Sequence, residues 1–255
     1  MKKALKIIGI MLVLGFIASC GGDRGYLLRF TPEEGDHYDF NFSVSMTGLY
    51  IGLGATYDIL SINNNEIDIA MEFTSMSMDM NISGESMSYD SRNPGGSLYG
   101  ELMHEQLEPF FSARLEQKMS DRGKIIKAPD FESIFSDNPA MQEQMGGMNK
   151  QMESMFVEYP EEALKIGDSF DVQLDNEGMS IAAVYTLTGV TVTEYILSVN
   201  GDISSSDELP VTGTMKGTFN LFRECGMVMS GDLTMEMEAL GENITIKMLM
   251  ESTKS

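Results

Sequence analysis

The stretch Ile67-Asp68-Ile69-Ala70-Met71-Glu72-Phe73-Thr74-Ser75-Met76-Ser77-Met78-Asp79-Met80-Asn81-Ile82 decides the fold class. Apolar side chains recur at every second position, the period of a β-strand with one dry face. Positions 67, 69, 71 and 73 carry the apolar set first, and positions 76, 78, 80 and 82 carry it afterwards. A change of phase without glycine or proline reads as a β-bulge or a bend in one long strand. Upstream, Phe40, Phe42, Val44 and Met46 share one face, with Asp39, Asn41, Ser43 and Ser45 on the other. Asn63-Asn64-Asn65 reads as the turn before the quoted strand. Downstream, strands are expected at Val184 to Leu187, at Tyr195, Leu197 and Val199, and at Met215 to Leu221. Two more follow at Met227 to Met237 and at Ile244, Ile246, Met248 and Met250. Asn200-Gly201-Asp202, Gly241-Glu242-Asn243 and Asp175-Asn176-Glu177-Gly178 read as turns. Such alternation belongs to antiparallel sheet with one dry face, not to a parallel α/β sheet.

Two segments break the β pattern. Leu98 to Glu108 predicts a short helix ended by Pro109. Asn138 to Phe156 predicts a longer one, with Asn138 as cap and Pro139 in the first turn. Met141, Met145, Met148, Met152 and Met155 then form an amphipathic stripe, interrupted by Gly146-Gly147. The chain also echoes itself. Gly35-Asp36-His37-Tyr38-Asp39 resembles Gly167-Asp168-Ser169-Phe170-Asp171, and Asp121-Arg122-Gly123-Lys124 resembles Arg223-Glu224-Cys225-Gly226. The expected fold is therefore mainly β with minor α: an antiparallel, one-sided curved sheet, as a half-barrel or open barrel. It is built from two related β units with an amphipathic helix between them. The units are placed at 26–137 and 161–255, with the helical connector at 138–160.

The N-terminus gives an address. Lys2, Lys3 and Lys6 precede an apolar run from Ile7 to Ile17, which is short for a membrane span. Ile17-Ala18-Ser19-Cys20 resembles the bacterial lipobox, in which the cysteine is diacylated and becomes the new N-terminus. Residues 1–19 are expected to be a lipoprotein signal peptide, Cys20 the lipidation site and 20–25 a tether. Several acyl chains hold a domain at a membrane where one does not. Gly21, where an inner-membrane retention signal has Asp, favours the outer membrane. Cleavage removes three of the 17 bases and none of the 39 acids, taking the net charge from −22 to −25. That charge argues against nucleic acid, whose phosphates need a basic face, and against a polybasic grip on anionic lipid. Cys225 is then the one remaining cysteine, and no intramolecular disulfide is expected.

Leu28-Arg29-Phe30, Gly35, Tyr38, Arg122-Gly123-Lys124-Ile125, Tyr159-Pro160 and Ile166-Gly167-Asp168-Ser169-Phe170 together resemble a family of uncharacterised lipoproteins from Bacteroidota. The resemblance covers about residues 26 to 255. The family usually has Trp where this chain has Phe170. It has no established activity, so it implies location and architecture and no catalytic residues.

The motifs of catalysis are missing. There is no Gly-x-Ser-x-Gly, no phosphate-binding glycine loop, and His104-Glu105 lacks the second histidine of a zinc protease helix. No enzymatic activity, cofactor or zinc site is expected. The 23 methionines are the unusual feature. They read in three ways: as plain core packing, as Cu(I)-binding thioether clusters, or as an adaptable apolar surface for a lipid or other hydrophobic ligand. On the third reading, the binding residues are Phe40, Phe42, Met76, Met78, Met80, Met148, Met152 and Met155. The leading expectation is a non-catalytic lipoprotein anchored in the cell envelope, with a hydrophobic small molecule or lipid as partner. The opposing expectation is an envelope assembly lipoprotein that contacts a protein partner. A core packed tightly enough to exclude a cavity of about 300 Å³ favours that second reading.

Overall fold

The change of phase in the quoted stretch is a bulge. In a computed structural model, residues 25–82, 85–96, 98–136, 142, 157–176, 179–205, 211–239 and 241–255 are described. Strand β3 (Glu66–Ile82) pairs antiparallel with β2 (Leu49–Asn63). Ala55 lies opposite Phe73 and Gly54 opposite Ser75, so Thr74 is the extra residue. Beyond it Met76, Met78 and Met80 lie opposite Leu53, Ile51 and Leu49, which share a face with Ala55, Tyr57 and Ile59. Both apolar sets of β3 therefore stay on one side of the sheet. Asn64 and Asn65, at φ 50° and 68°, make the turn between the strands. Two successive positive φ values are what a two-residue hairpin with the sheet's own twist requires.

The remaining strands are β1 (His37–Met46), β4 (Glu85–Asp90), β5 (Arg114–Ser120) and β6 (Ile125–Lys127) in the first half. The second half has β7 (Ser169–Asn176), β8 (Met179–Val190), β9 (Glu194–Ser205), β10 (Val211–Phe222), β11 (Val228–Ala239) and β12 (Glu242–Lys254). Among the described residues they form one antiparallel sheet of twelve strands in the order β6-β5-β3-β2-β1-β12-β11-β10-β9-β8-β7, with β4 on the far end of β3. β1 pairs with β12, from Tyr38 opposite Lys254 to Ser45 opposite Lys247, and this seam joins two meanders. The end strands β6 and β7 do not pair with each other, so the sheet stays open. It curls nonetheless: Ile69 and Met71 of β3 share one buried cluster with Tyr185, Leu187, Leu197 and Val199 of β8 and β9. A one-sided apolar face this wide can leave water only by closing on itself.

The two Gly-Asp openings have the same hydrogen bonds. Gly35 N donates to Ile59 O (2.9 Å) and Ile59 N to Asp36 O (2.9 Å), while Glu33 N donates to Asp36 Oδ2 (2.8 Å). Gly167 N likewise donates to Leu187 O (2.7 Å), Leu187 N to Asp168 O (3.0 Å) and Lys165 N to Asp168 Oδ2 (2.8 Å). Each motif fastens the start of one meander to its second strand.

Some expectations are corrected. Asn200-Gly201-Asp202 is not a turn but lies inside β9. Gly201 serves a close strand approach there, since a β-carbon on it would lie 2.9 Å from Ala182 O. Of Gly241-Glu242-Asn243, Gly241 turns (φ 82°) while Glu242 and Asn243 already pair in β12. Helix α1 (Leu98–Ser112) does not stop at Pro109. Its last turn is held by packing: Phe110 stacks on Phe73 with ring centroids 3.9 Å apart, and Phe131 of α2 (Phe131–Ile134) lies beyond, 6.3 Å from Phe110. Of the expected helix at 138–156 only Gln142 is described, and it is helical; the rest, with Met148, Met152 and Met155, and the expected lipidation site Cys20 lie outside the described residues.

An ion-pair chain crosses the start of β1 and makes stability pH-dependent. His37 Nδ1 lies 2.6 Å from Asp58 Oδ1, Arg114 Nη2 3.0 Å from Asp58 Oδ2, and Glu72 pairs with the same guanidinium. The hydrogen bond to Asp58 raises the pKa of His37, and the bond from His37 lowers that of Asp58. The His37 contribution is present below its unfolded pKa of about 6.5 and is lost as pH rises through the higher folded value. That of Asp58 is present above about 3.9 and is lost as pH falls through the lower folded value. The urea midpoint is therefore expected to fall between pH 6 and pH 9, and His37→Gln to flatten that fall. An unchanged slope in the variant would remove His37 as its source.

Candidate functional site

The curl leaves a cavity of about 310 Å³ in the concave face. Phe40 and Phe42 of β1, Ala55 and Tyr57 of β2, and Met71 and Phe73 of β3 line one wall. Tyr185, Leu197 and Phe219, from β8, β9 and β10, line the other. Phe42, Leu53 and Met250 are half-buried at one end, whereas Phe30, Met119, Tyr159 and Leu221 are buried at the opposite end. Among the described residues no charged side chain lines the space. Its volume stands at the lower end of the range of ligand sites, roughly 300–1,000 Å³. At about 30 Å³ for each water-sized group, it has room for on the order of ten of them.

The buried end is built by residues far apart in sequence. Tyr26 bridges to Leu164, Phe30 N donates to Asp121 O (2.6 Å) and Thr31 N to Cys225 O (2.8 Å). Arg29 Nη1 donates to Pro160 O (2.8 Å) and Arg29 Nη2 to Glu161 O (2.9 Å). Arg122 Nε donates to Tyr159 O (2.7 Å), and the Tyr159 hydroxyl to Gly226 O (2.7 Å). Gly123 and Gly226 turn at φ 81° and 71°. Thus Leu28-Arg29-Phe30, Arg122-Gly123 and Tyr159-Pro160 converge to close the base of the cavity. Beside it, the hydroxyl of the buried Tyr38 donates to Asp36 Oδ2 (3.0 Å) and lies 3.4 Å from Cys225 Sγ. Burial pushes the Cys225 thiol up, which suits a packed cysteine rather than a reactive one.

Besides Tyr159, whose hydroxyl is bound to Gly226 O, three polar side chains among the described residues border the apolar space. Gln117 on β5 is 2% exposed, and its amide oxygen has no hydrogen-bond partner among the described residues. An orphaned buried acceptor of this kind costs about 1–3 kcal/mol. Tyr57 and Tyr185 line the same cavity, and burial alone pushes both phenols up, Tyr185 to about 12. Both stay neutral hydroxyls at any physiological pH.

Of the residues expected to bind, Phe40 and Phe42 stand in the cavity wall. Met76, Met78 and Met80 share the concave face but lie past the bulge. There Met78 is buried with Tyr89 and Leu107, and Met76 and Met80 pack against that cluster. Tyr57, Met71, Gln117 and Tyr185 line the cavity as well, beyond the residues expected to bind. A glutamine in the inward row of β5, between Leu115 and Met119, was the available signal. Among the described residues no group of three or more His, Cys, Asp or Glu side chains is placed to hold a metal ion.

A model described as a family of unknown function, DUF6263, matches residues 64–240. The chain belongs to that family. The matched part of this DUF6263 protein runs from the turn before β3 to the end of β11, and so takes in β3 of one wall and the whole of the other, but not the β1 and β2 residues of the first wall. Membership agrees with the expected resemblance to an uncharacterised family. No curated protein matches the chain. Among solved structures, lipovitellin, from a study of lipid-protein interactions in that protein, superposes with a TM-score of 0.48 at 13% identity. The match covers 88% of this chain, which spans about a quarter (25%) of that one. A Bacteroides fragilis protein with a YmcC-like fold superposes with a TM-score of 0.31 at 9% identity, covering 89% of this chain and 99% of the other.

Proposed function

We propose that this DUF6263 chain is a non-catalytic lipoprotein of the bacterial cell envelope that holds an apolar ligand in its curled sheet. The observation that carries the reading is the cavity of about 310 Å³, walled by aromatic and aliphatic side chains. A sheet acting only as a scaffold gains by filling such a space, because each missing contact forfeits dispersion energy. The lipobox-like Ile17-Ala18-Ser19-Cys20 supports anchoring in the outer membrane by acyl chains on Cys20.

Native mass spectrometry of residues 21–255, produced in the periplasm without the anchor and followed by organic extraction, tests the ligand. An apolar adduct at near-stoichiometric amount is expected. A clean protein mass, with no binding of the apolar fluorophore N-phenyl-1-naphthylamine, would overturn the reading and turn attention to a protein partner. The anchor is tested separately: Cys20→Ala is expected to accumulate as an unlipidated precursor, and normal acylation of that variant would refute it.

A further inference from the structure

Gln117 stands at the centre of β5, opposite Ile69 of β3. The other inward residues of β5, Leu115 and Met119, are apolar. A leucine or methionine at 117 would fill the same room without a polar atom to satisfy. The amide nitrogen of Gln117 finds Met119 Sδ at 3.9 Å, a weak acceptor, and the amide oxygen finds nothing among the described residues. Buried polar atoms are nearly always paired, and one that is not calls for an explanation. Here the side chain borders the cavity, so a molecule inside it can supply the missing donor. Tyr57, on the strand beyond β3, faces the same space, as does Tyr185 from the other wall. Neither hydroxyl makes a hydrogen bond among the described residues.

We propose that the ligand is a neutral amphiphile, an apolar chain or ring carrying one hydroxyl or amide N–H that donates to Gln117 Oε1. The inference rests on the apolar-ligand reading and names its chemical class: long-chain alcohols and amides, not carboxylates. A carboxylate brings an acceptor to an acceptor, and among the described residues no cationic side chain lines the cavity to meet its charge. A neutral donor completes the amide, while its chain takes the space between Phe40, Met71 and Phe219.

The test is displacement of bound 1,6-diphenylhexatriene, a hydrocarbon fluorophore with no donor or acceptor for Gln117, at pH 8 by 1-dodecanol, dodecyl methyl ether and dodecanoate. It uses residues 21–255, which contain every described strand and helix. The wild type is expected to bind dodecanol about tenfold more tightly than the ether or the acid. Gln117→Leu and Gln117→Met are expected to keep fluorophore binding, which reports an intact fold and cavity, and to lose the preference for alcohol over ether. Equal binding of alcohol and ether by the wild type, a preference for dodecanoate, or an unchanged preference in the folded variants would overturn the proposal. Failure of the wild type to bind the fluorophore would instead overturn the apolar-ligand reading itself.

Discussion

Gly226→Ala is expected to destabilise the protein by roughly 2–6 kcal/mol, the largest effect of a single methyl group added at any described glycine. Gly226 turns at φ 71°, where a side chain costs about 1–3 kcal/mol of backbone strain. Its new β-carbon would also overlap the Arg29 carbonyl oxygen, with the carbonyl carbon 2.7 Å away, and overpacking adds about 1–3 kcal/mol. Relief would require moving residues 29–31, which reach Pro160, Asp121 and Cys225 through hydrogen bonds. Gly241→Ala is the control. Its φ of 82° is as strained, but nothing lies within 4 Å of the added carbon. Urea denaturation of both variants separates the two causes, and equal losses would show that the Arg29 contact is immaterial.

Ala55→Phe is expected to weaken binding of N-phenyl-1-naphthylamine at least tenfold while leaving the fold intact. Ala55 stands between Phe40 of β1 and Phe73 of β3, so a ring added here grows into the cavity. Each buried methylene contributes about 0.8 kcal/mol, and displacing two of them from a ligand exceeds the 1.4 kcal/mol that makes a factor of ten. Filling an empty apolar space also restores dispersion contacts, so the urea midpoint should hold or rise. A folded variant that binds the fluorophore like the wild type would place the binding site elsewhere.

The antiparallel, one-sided character of the sheet is legible in single strands. β3 shows it without help from the rest of the chain, and its change of phase marks the bulge at Thr74 in advance. Asn64-Asn65 and the Gly35-Asp36 and Gly167-Asp168 openings are equally local, because each is set by a few backbone hydrogen bonds. β2 was harder to see: Gly52 and Gly54 remove side chains from its outward row, and its run reads less clearly as alternation. β5 was obscured by Gln117, the polar residue in its inward row. The cavity is a different matter. Periodicity tells which side of a strand is dry, but not which strand faces it across the interior. That Met71 shares a cavity with Phe219 follows from the curl of the whole sheet. For the same reason Met76, Met78 and Met80 could be read as inward, but not as covered by Leu107 of α1.

The seam between β1 and β12 has a consequence for biogenesis. Tyr38 meets Lys254 only after more than two hundred residues of intervening chain have been made, which gives the fold many contacts of very long range. Until β12 arrives, one edge of β1 carries open backbone hydrogen-bonding groups beside Phe40 and Phe42, a template for pairing with other chains. The first meander can assemble early, but this edge cannot be protected until β12 has been delivered. Escort of the unfinished chain therefore matters more for this protein than for one whose strands pair in the order of their synthesis.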